Sequence, residues 1–406
     1  MKEITIKKSQ IKNQIFIFLI LVFVFIPPYF IQIVSKYKIL NDLISMTSIT
    51  LIVYYLFKEG IKINLPIIIL GIEYIFLLLS TIMNKGLFNL AFSNAIFTIL
   101  LCLMLSNLIE NSKRLSTFLH MVRDVTVVIF IMNCFLAIVM PRGIPSITTG
   151  DIPNFLYGNM NSTIKYIFPG LGCSLIIDYL ERKKISIHTV IFFVGMFYFN
   201  INVYFMATAA IAMLFIIMWL LFRKLINRNP KLVFIILLCV IFLIQVTVVM
   251  QFGNQFLGNF IADVFGKSIT FSGRSFLWTN CIFSIVKKPL LGHGLVPESL
   301  LHALVGNSAG AHNYYLDIVF QRGIVGLSIF IFFILYILKK MEWRSPLRMD
   351  AYILLGICSA YLIMFLSEPF YNTEKFHIPI FYILGVLLNR KSNLNKEKHN
   401  VTQKVS

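Results

Sequence analysis

Charge is what this sequence has least of. Only 13% of its 406 residues are Asp, Glu, Lys or Arg and 58% are hydrophobic, whereas a soluble domain carries roughly 25% charged residues. That shortfall points to a membrane class. Acidic residues are the scarcer sign, 17 against 36 Lys and Arg, for a formal charge of +19. Such an excess would suggest nucleic-acid binding only if it gathered in one region, and it is spread along the chain. Cysteine is also sparse: Cys102, Cys134, Cys173, Cys239, Cys281 and Cys358 are scattered, with no C-x-x-C pair. They read as small buried hydrophobes. Internal repeats and low-complexity tracts are missing too. The first apolar run, Ile15 to Val34, follows several lysines but lacks a small-residue cleavage site, so it reads as a retained span and not a signal peptide.

Long apolar runs are abundant, each near the roughly 20 residues that cross a bilayer. They predict spans at about 15–34, 39–57, 65–83, 87–109, 122–140, 163–180, 186–200, 203–222, 232–250, 318–338, 349–368 and 374–390. With twelve spans and both termini in the cytoplasm, most Lys and Arg fall on the inside, as the positive-inside rule requires. The expected organisation is nine spanning helices in 1–250, an outer segment at 141–162, a large outer loop at 251–317, three more helices in 318–390 and a cytoplasmic tail at 391–406. Glu73 lies mid-span and is costly there unless a partner such as a Tyr or Ser meets it, or unless it serves proton-coupled transport. Pro27-Pro28 and Pro169-Gly170 mark kinks.

A loop of about 65 residues is long enough to be functional. Within it Ser272-Gly273-Arg274-Ser275-Phe276-Leu277-Trp278 opens a segment with apolar residues at 277, 278, 281, 282, 285 and 286. This predicts an amphipathic helix on the outer membrane face, capped by Ser272 and ended by Lys287, Lys288 and Pro289. A cation in the first turn opposes the helix dipole, so Arg274 fits best where an anion such as phosphate binds. The plainer reading has Arg274 reaching for lipid headgroups or pairing with Asp263. Further on, Asn307 or Ser308 would cap a helix carrying His312 in its first turns, keeping the imidazole neutral and able to accept a proton. The plainer reading is an interfacial hydrogen-bonding histidine.

The pattern His312-Asn313, nine residues, then Gly323-Ile324-Val325-Gly326 resembles that of the O-antigen ligases and the related Wzy-type repeat-unit polymerases. So do Ser272-Gly273-Arg274 with Trp278, and Pro289-Leu290-Leu291-Gly292-His293-Gly294. The likeness covers about 268–330 and is weaker at Gly158-Asn159-Met160-Asn161. It implies an all-α, GT-C-like integral membrane protein of the bacterial plasma membrane. It also implies a metal-independent, inverting glycosyltransferase without cofactor, acting on polyprenyl-pyrophosphate-linked oligosaccharide at the outer leaflet. On that reading Arg274 takes the diphosphate and His312 is the general base, with Asn313, Arg322 and His293 as further substrate-binding candidates. The chain departs from its relatives where Met206-Ala207-Thr208-Ala209 stands in place of a mid-span Ser-Arg pair. The absent arginine's task would fall to Arg142, Lys165 or Arg322.

Several rivals stay open. His293, His302 and His312 are too widely spaced for a usual zinc set. Outer loops also lack the D-x-D or paired carboxylates of metal-dependent GT-C transferases. Repeat-unit polymerisation into capsular or exopolysaccharide and O-antigen ligase-type transfer share one motif, and the abundance of Lys, Ile, Asn and Phe tilts toward a Gram-positive host and a polymerase. A lipid-linked oligosaccharide flippase would need charge spread through the spans. A structural or sensor protein would need neither Arg274 nor His312. Expected partners are the lipid-linked substrate, the bilayer, a chain-length regulator and a flippase, and no nucleic acid.

Overall fold

Asparagine or serine starts most of the capped helices. Asn64 accepts from the Ile67 amide ahead of α2 (Leu65–Met83), with Pro66 in the first turn. Asn111 does so for α4 (Ser112–Val139) and Ser186 for α6 (Ile187–Tyr198). Asn229 caps α9 (Pro230–Ile244), and Pro230 at its first position has no amide to leave unsatisfied. The computed structural model describes residues 38–145, 153–199, 207–250, 274–370 and 373–389.

They divide into two compact units, one within 1–62 and 100–214 and one within 63–99 and 215–406. The first holds α1 (Lys38–Glu59), α4, a two-residue hairpin of β1 (Asn154–Phe155) and β2 (Gly158–Asn159), α5 (Met160–Ile177, with Pro169 inside it) and α6. Here α4 packs along α5, and the Ser174 and Thr189 hydroxyls join α5 to α6 at 2.8 Å. The boundary between units falls within α3 (Phe88–Leu108) and within α7 (Ala207–Leu221).

The second unit continues with α8 (Arg223–Ile226), α9 and its terminal π-turn Gln245–Val249, α10 (Arg274–Lys287), α11 (Glu298–Val305), α12 (Tyr314–Lys340) and α13 (Met349–Met364). A 3-10 turn at Glu374–Phe376 leads into α14 (Ile378–Asn389). Helix α12 packs mainly on α2. Trp278 and Cys281 of α10, Leu301 and Val305 of α11, and Leu316 and Phe320 of α12 share a buried apolar cluster.

Among the described residues five helices are long and apolar enough to cross a membrane: α2, α3, α4, α9 with its π-turn, and α12. Helices α6, α7, α13 and α14 are apolar but shorter. The span expected at 15–34, its Pro27-Pro28 and the Ser272 cap lie outside the described residues. Two expectations need correction. The helix after the large loop begins at Tyr314 with Asn313 as its cap, so neither Asn307 nor Ser308 caps it and His312 precedes it. The apolar stripe of α10 is only partly open to lipid: Trp278 and Cys281 are buried in protein, while Val286 of that stripe is exposed with Phe276 and Phe283. Its end after Lys287 is as expected.

Candidate functional site

The site begins at a break. Within α12, Gly323 has φ 65° and ψ −168°, which interrupts the helix. A Cβ there would lie 2.0 Å from the Leu290 carbonyl oxygen, so only glycine fits. Breaking a helix strands carbonyls on one side and amides on the other. The segment 289–294 satisfies both. The amides of His293 and Gly294 donate to the carbonyls of Phe320 and Gln321 at 2.6 and 2.9 Å, and the Pro289 carbonyl accepts from Ile324 at 2.8 Å. Gly292, at φ 71°, passes with room for no Cβ beside the Phe320 carbonyl. The motif Pro289 to Gly294 and the motif Gly323 to Gly326 are therefore two halves of one joint. The turn after α2 supports it: Asn84 donates to the Gly292 carbonyl and Thr81 accepts from the Leu295 amide.

This joint directs Arg322 inward. Its guanidinium lies 2.5 Å from Glu73 of α2 and 2.5 Å from Glu374, with the Tyr74 ring close by. All three charged side chains are buried, Arg322 at 1% exposure. The mid-span Glu73 is thus met by an arginine, not by the Tyr or Ser expected. Arg322 is committed to two carboxylates and staples α2, α12 and the segment before α14.

His312 stands just ahead of α12 with φ 51°, a conformation a histidine rarely adopts. Both neighbours pin it. The Ala311 amide donates to Asp317 at 2.9 Å. The Asn313 side chain accepts from the Leu316 amide at 3.0 Å and donates to Gln245 at 2.9 Å and to the Leu366 carbonyl at 3.0 Å. Asn307 Oδ1 accepts from the Ala309 amide at 2.7 Å, which turns Nδ2 toward His312 Nε2 at 3.3 Å. An amide N–H aimed at Nε2 makes that nitrogen the one bearing the lone pair.

Arg274 opens α10 and pairs with Glu368 at 3.6 Å; the arginine is 24% exposed and the glutamate 3%. Glu368 lies two residues beyond Leu366, to which Asn313 donates, and the Tyr314 amide donates to Phe365 at 2.8 Å. One connector, 365–370, thus touches the residues beside His312 and holds Arg274. Two residues of chain span at most about 7 Å, so Arg274 and the His312 segment are tied to neighbouring points of one connector in this unit.

The remaining candidates have other settings. His293 is buried, stacked on Phe320 at 4.8 Å, with Nε2 2.8 Å from the Ser284 carbonyl. Burial lowers its pKa, and the nearby Lys288 and Lys287 add to this. Asn313 spends its amide on protein partners. Arg142 is exposed and Lys165 buried, both in the first unit. Among the described residues no three His, Cys, Asp or Glu side chains gather closely enough to hold a metal ion, so histidines 293, 302 and 312 form no such set.

Sequence reasoning missed Glu368, Glu374, Gln245 and the part of Asn307. A signal existed for the glutamates: acids are rare here, and Glu368 and Glu374 stand at the facing ends of the last two predicted spans. Gln245 carried none.

Helices long and apolar enough to cross a membrane, with a cationic and an imidazole group tied to one connector, describe a membrane protein with a candidate polar site. Residues 188–331 match the family model described as O-antigen ligase, consistent with an O-antigen ligase and Wzy-type family. This indicates an enzyme of the glycosyl-transfer type. No curated protein and no solved structure matches the chain. The match includes Arg274, His293, His312, Asn313 and Arg322 but stops short of Glu73, Glu368 and Glu374.

Proposed function

We propose that this protein joins polyprenyl-diphosphate-linked oligosaccharide repeat units into a capsular or exopolysaccharide chain at the outer leaflet of the bacterial plasma membrane, within a twelve-span, GT-C-like frame. The observation that carries the reading is the shared connector 365–370, which ties Arg274 to the segment bearing His312. The acceptor hydroxyl gives its proton to His312 Nε2, where Asn307 now donates. Its oxygen bonds to the anomeric carbon as the carbon–oxygen bond to the diphosphate breaks on the opposite face, inverting that carbon. Negative charge grows on the leaving diphosphate, and Arg274 meets it; such fixed donors stabilise developing charge more than any other single factor. His293, Asn313 and Arg322 hold the site and do not touch substrate. The proposed chemistry rests on the second unit alone.

The likeness of residues 188–331 to the O-antigen ligase family supports a second reading, transfer of finished glycan to an acceptor, which uses the same pair. Both are tested by Arg274→Ala and His312→Ala in the producing cell. A polymerase leaves single repeat units on lipid; a ligase leaves long lipid-linked polymer that is not transferred. Full-length, transferred glycan from the His312 variant would remove the general-base role. A flippase reading loses its main support, because Glu73 is ion-paired to Arg322; it would return if repeat units failed to reach the outer leaflet.

A further inference from the structure

We infer that Glu368 is a specificity-determining residue: it reserves Arg274 for a lipid diphosphate and denies it to the single phosphodiesters of the surrounding headgroups. The inference rests on the reading that Arg274 receives the donor diphosphate.

Arg274 stands at the head of a helix whose exposed side carries Phe276, Phe283 and Val286. An arginine so placed, one-quarter exposed, would ordinarily extend to headgroup phosphates, which outnumber any lipid-linked sugar. Glu368 competes with them. Its carboxylate is buried, so its attraction for Arg274 is weakly screened, and any anion that takes Arg274 away separates a buried carboxylate from this cation, at a cost. A phosphodiester brings one negative charge and does no more than match the carboxylate it displaces. A diphosphate brings more charge and more acceptor oxygens, and it wins. The separation suits this exchange. At 3.6 Å the pair is longer than the roughly 2.7–2.9 Å of a charge-assisted hydrogen bond, so Arg274 is attracted without being locked.

The test uses the full-length protein in nanodiscs, with geranyl diphosphate titrated calorimetrically in phosphatidylcholine and again in phosphatidylglycerol. Any repulsion of the probe by the anionic lipid is common to wild type and variants, so the comparison is between proteins. The change from phosphatidylcholine to phosphatidylglycerol is expected to weaken probe binding by roughly tenfold more in Glu368→Gln than in wild type, the scale of one lost charge pair. Glu368→Asp, which keeps the charge, should behave as wild type. Equal lipid dependence in wild type and Glu368→Gln, with Arg274→Ala abolishing binding in both lipids, overturns the inference and leaves the diphosphate reading standing. Unchanged binding by Arg274→Ala removes the diphosphate reading and this inference together. Loss of all binding in both Glu368 variants would make the residue a structural support and end the selectivity argument.

Discussion

His312 holds a backbone conformation that costs a side chain about 1–3 kcal/mol, and the bonds from Ala311 and Asn313 to Asp317, Gln245 and Leu366 keep it there. Glycine meets no such cost, which separates stability from chemistry. His312→Gly should unfold in detergent no earlier than wild type, yet lose about 100- to 10,000-fold in polymer formation, the usual worth of a general base. A variant that kept near wild-type turnover would remove His312 from the reaction. His293 gives a pH signature instead. Burial holds its pKa below the ordinary histidine value, so the folded state binds fewer protons than the unfolded chain at that site. Its contribution is complete above about pH 6.5 and is lost as pH falls through the lowered value. Melting temperature should therefore drop more between pH 8 and pH 5 in wild type than in His293→Gln, whose amide still reaches the Ser284 carbonyl. Parallel pH profiles would show that the imidazole carries no linkage. The residue types of the site were legible in the sequence, since Arg274 and His312 stand at fixed motif spacing. Glu368 was not, because its meaning comes from a contact across roughly ninety residues of chain.

At the level of elements, the sequence motif marked by Gly292, His293 and Gly323 proves to be mostly architecture. A broken helix needs foreign partners for its stranded amides and carbonyls, and the segment 289–294 provides them. Gly323→Ala would place Cβ on the Leu290 carbonyl and force a strained φ. The expected result is a loss above about 3 kcal/mol, with little protein recovered from the membrane. Arg322 tests the same joint electrostatically. Removing one member of a buried ion pair leaves uncompensated charge and costs roughly 3–5 kcal/mol; Arg322→Ala strands both Glu73 and Glu374. Glu73→Gln, which leaves Arg322 its second carboxylate, should lose less. Thermal unfolding in detergent orders the three proteins, and an Arg322→Ala melt equal to wild type would contradict the stapling role. The period of α10 was readable in advance, but not which neighbour would cover it. Its burying face meets α11 and α12, which lie beyond intervening turns.

For the molecule as a whole, hydropathy foretold helices across the chain, and helices stand in the described parts of eleven of the twelve predicted spans. What it did not reveal was the grouping. Residues 63–99 join 215–406 in one compact unit, because Glu73 and Thr81 answer to Arg322 and Leu295, and local periodicity contains no information on such distant pairs. The sidedness that the proposed chemistry demands follows from charge: Arg223, Lys224 and Arg228 cluster at one end of α7 and α8, and retention of basic clusters in the cytoplasm sets orientation. On the proposed reading the end bearing Arg274 and His312 faces outward, toward the lipid-diphosphate sugars it would join. Cysteines placed singly at exposed Leu300 and Leu225 report this in intact cells. A membrane-impermeant maleimide should label Leu300→Cys at once and Leu225→Cys only after permeabilisation, each read against the unsubstituted chain to subtract its native thiols. The reverse pattern would put the site on the cytoplasmic face and remove glycan assembly at the outer leaflet as its function.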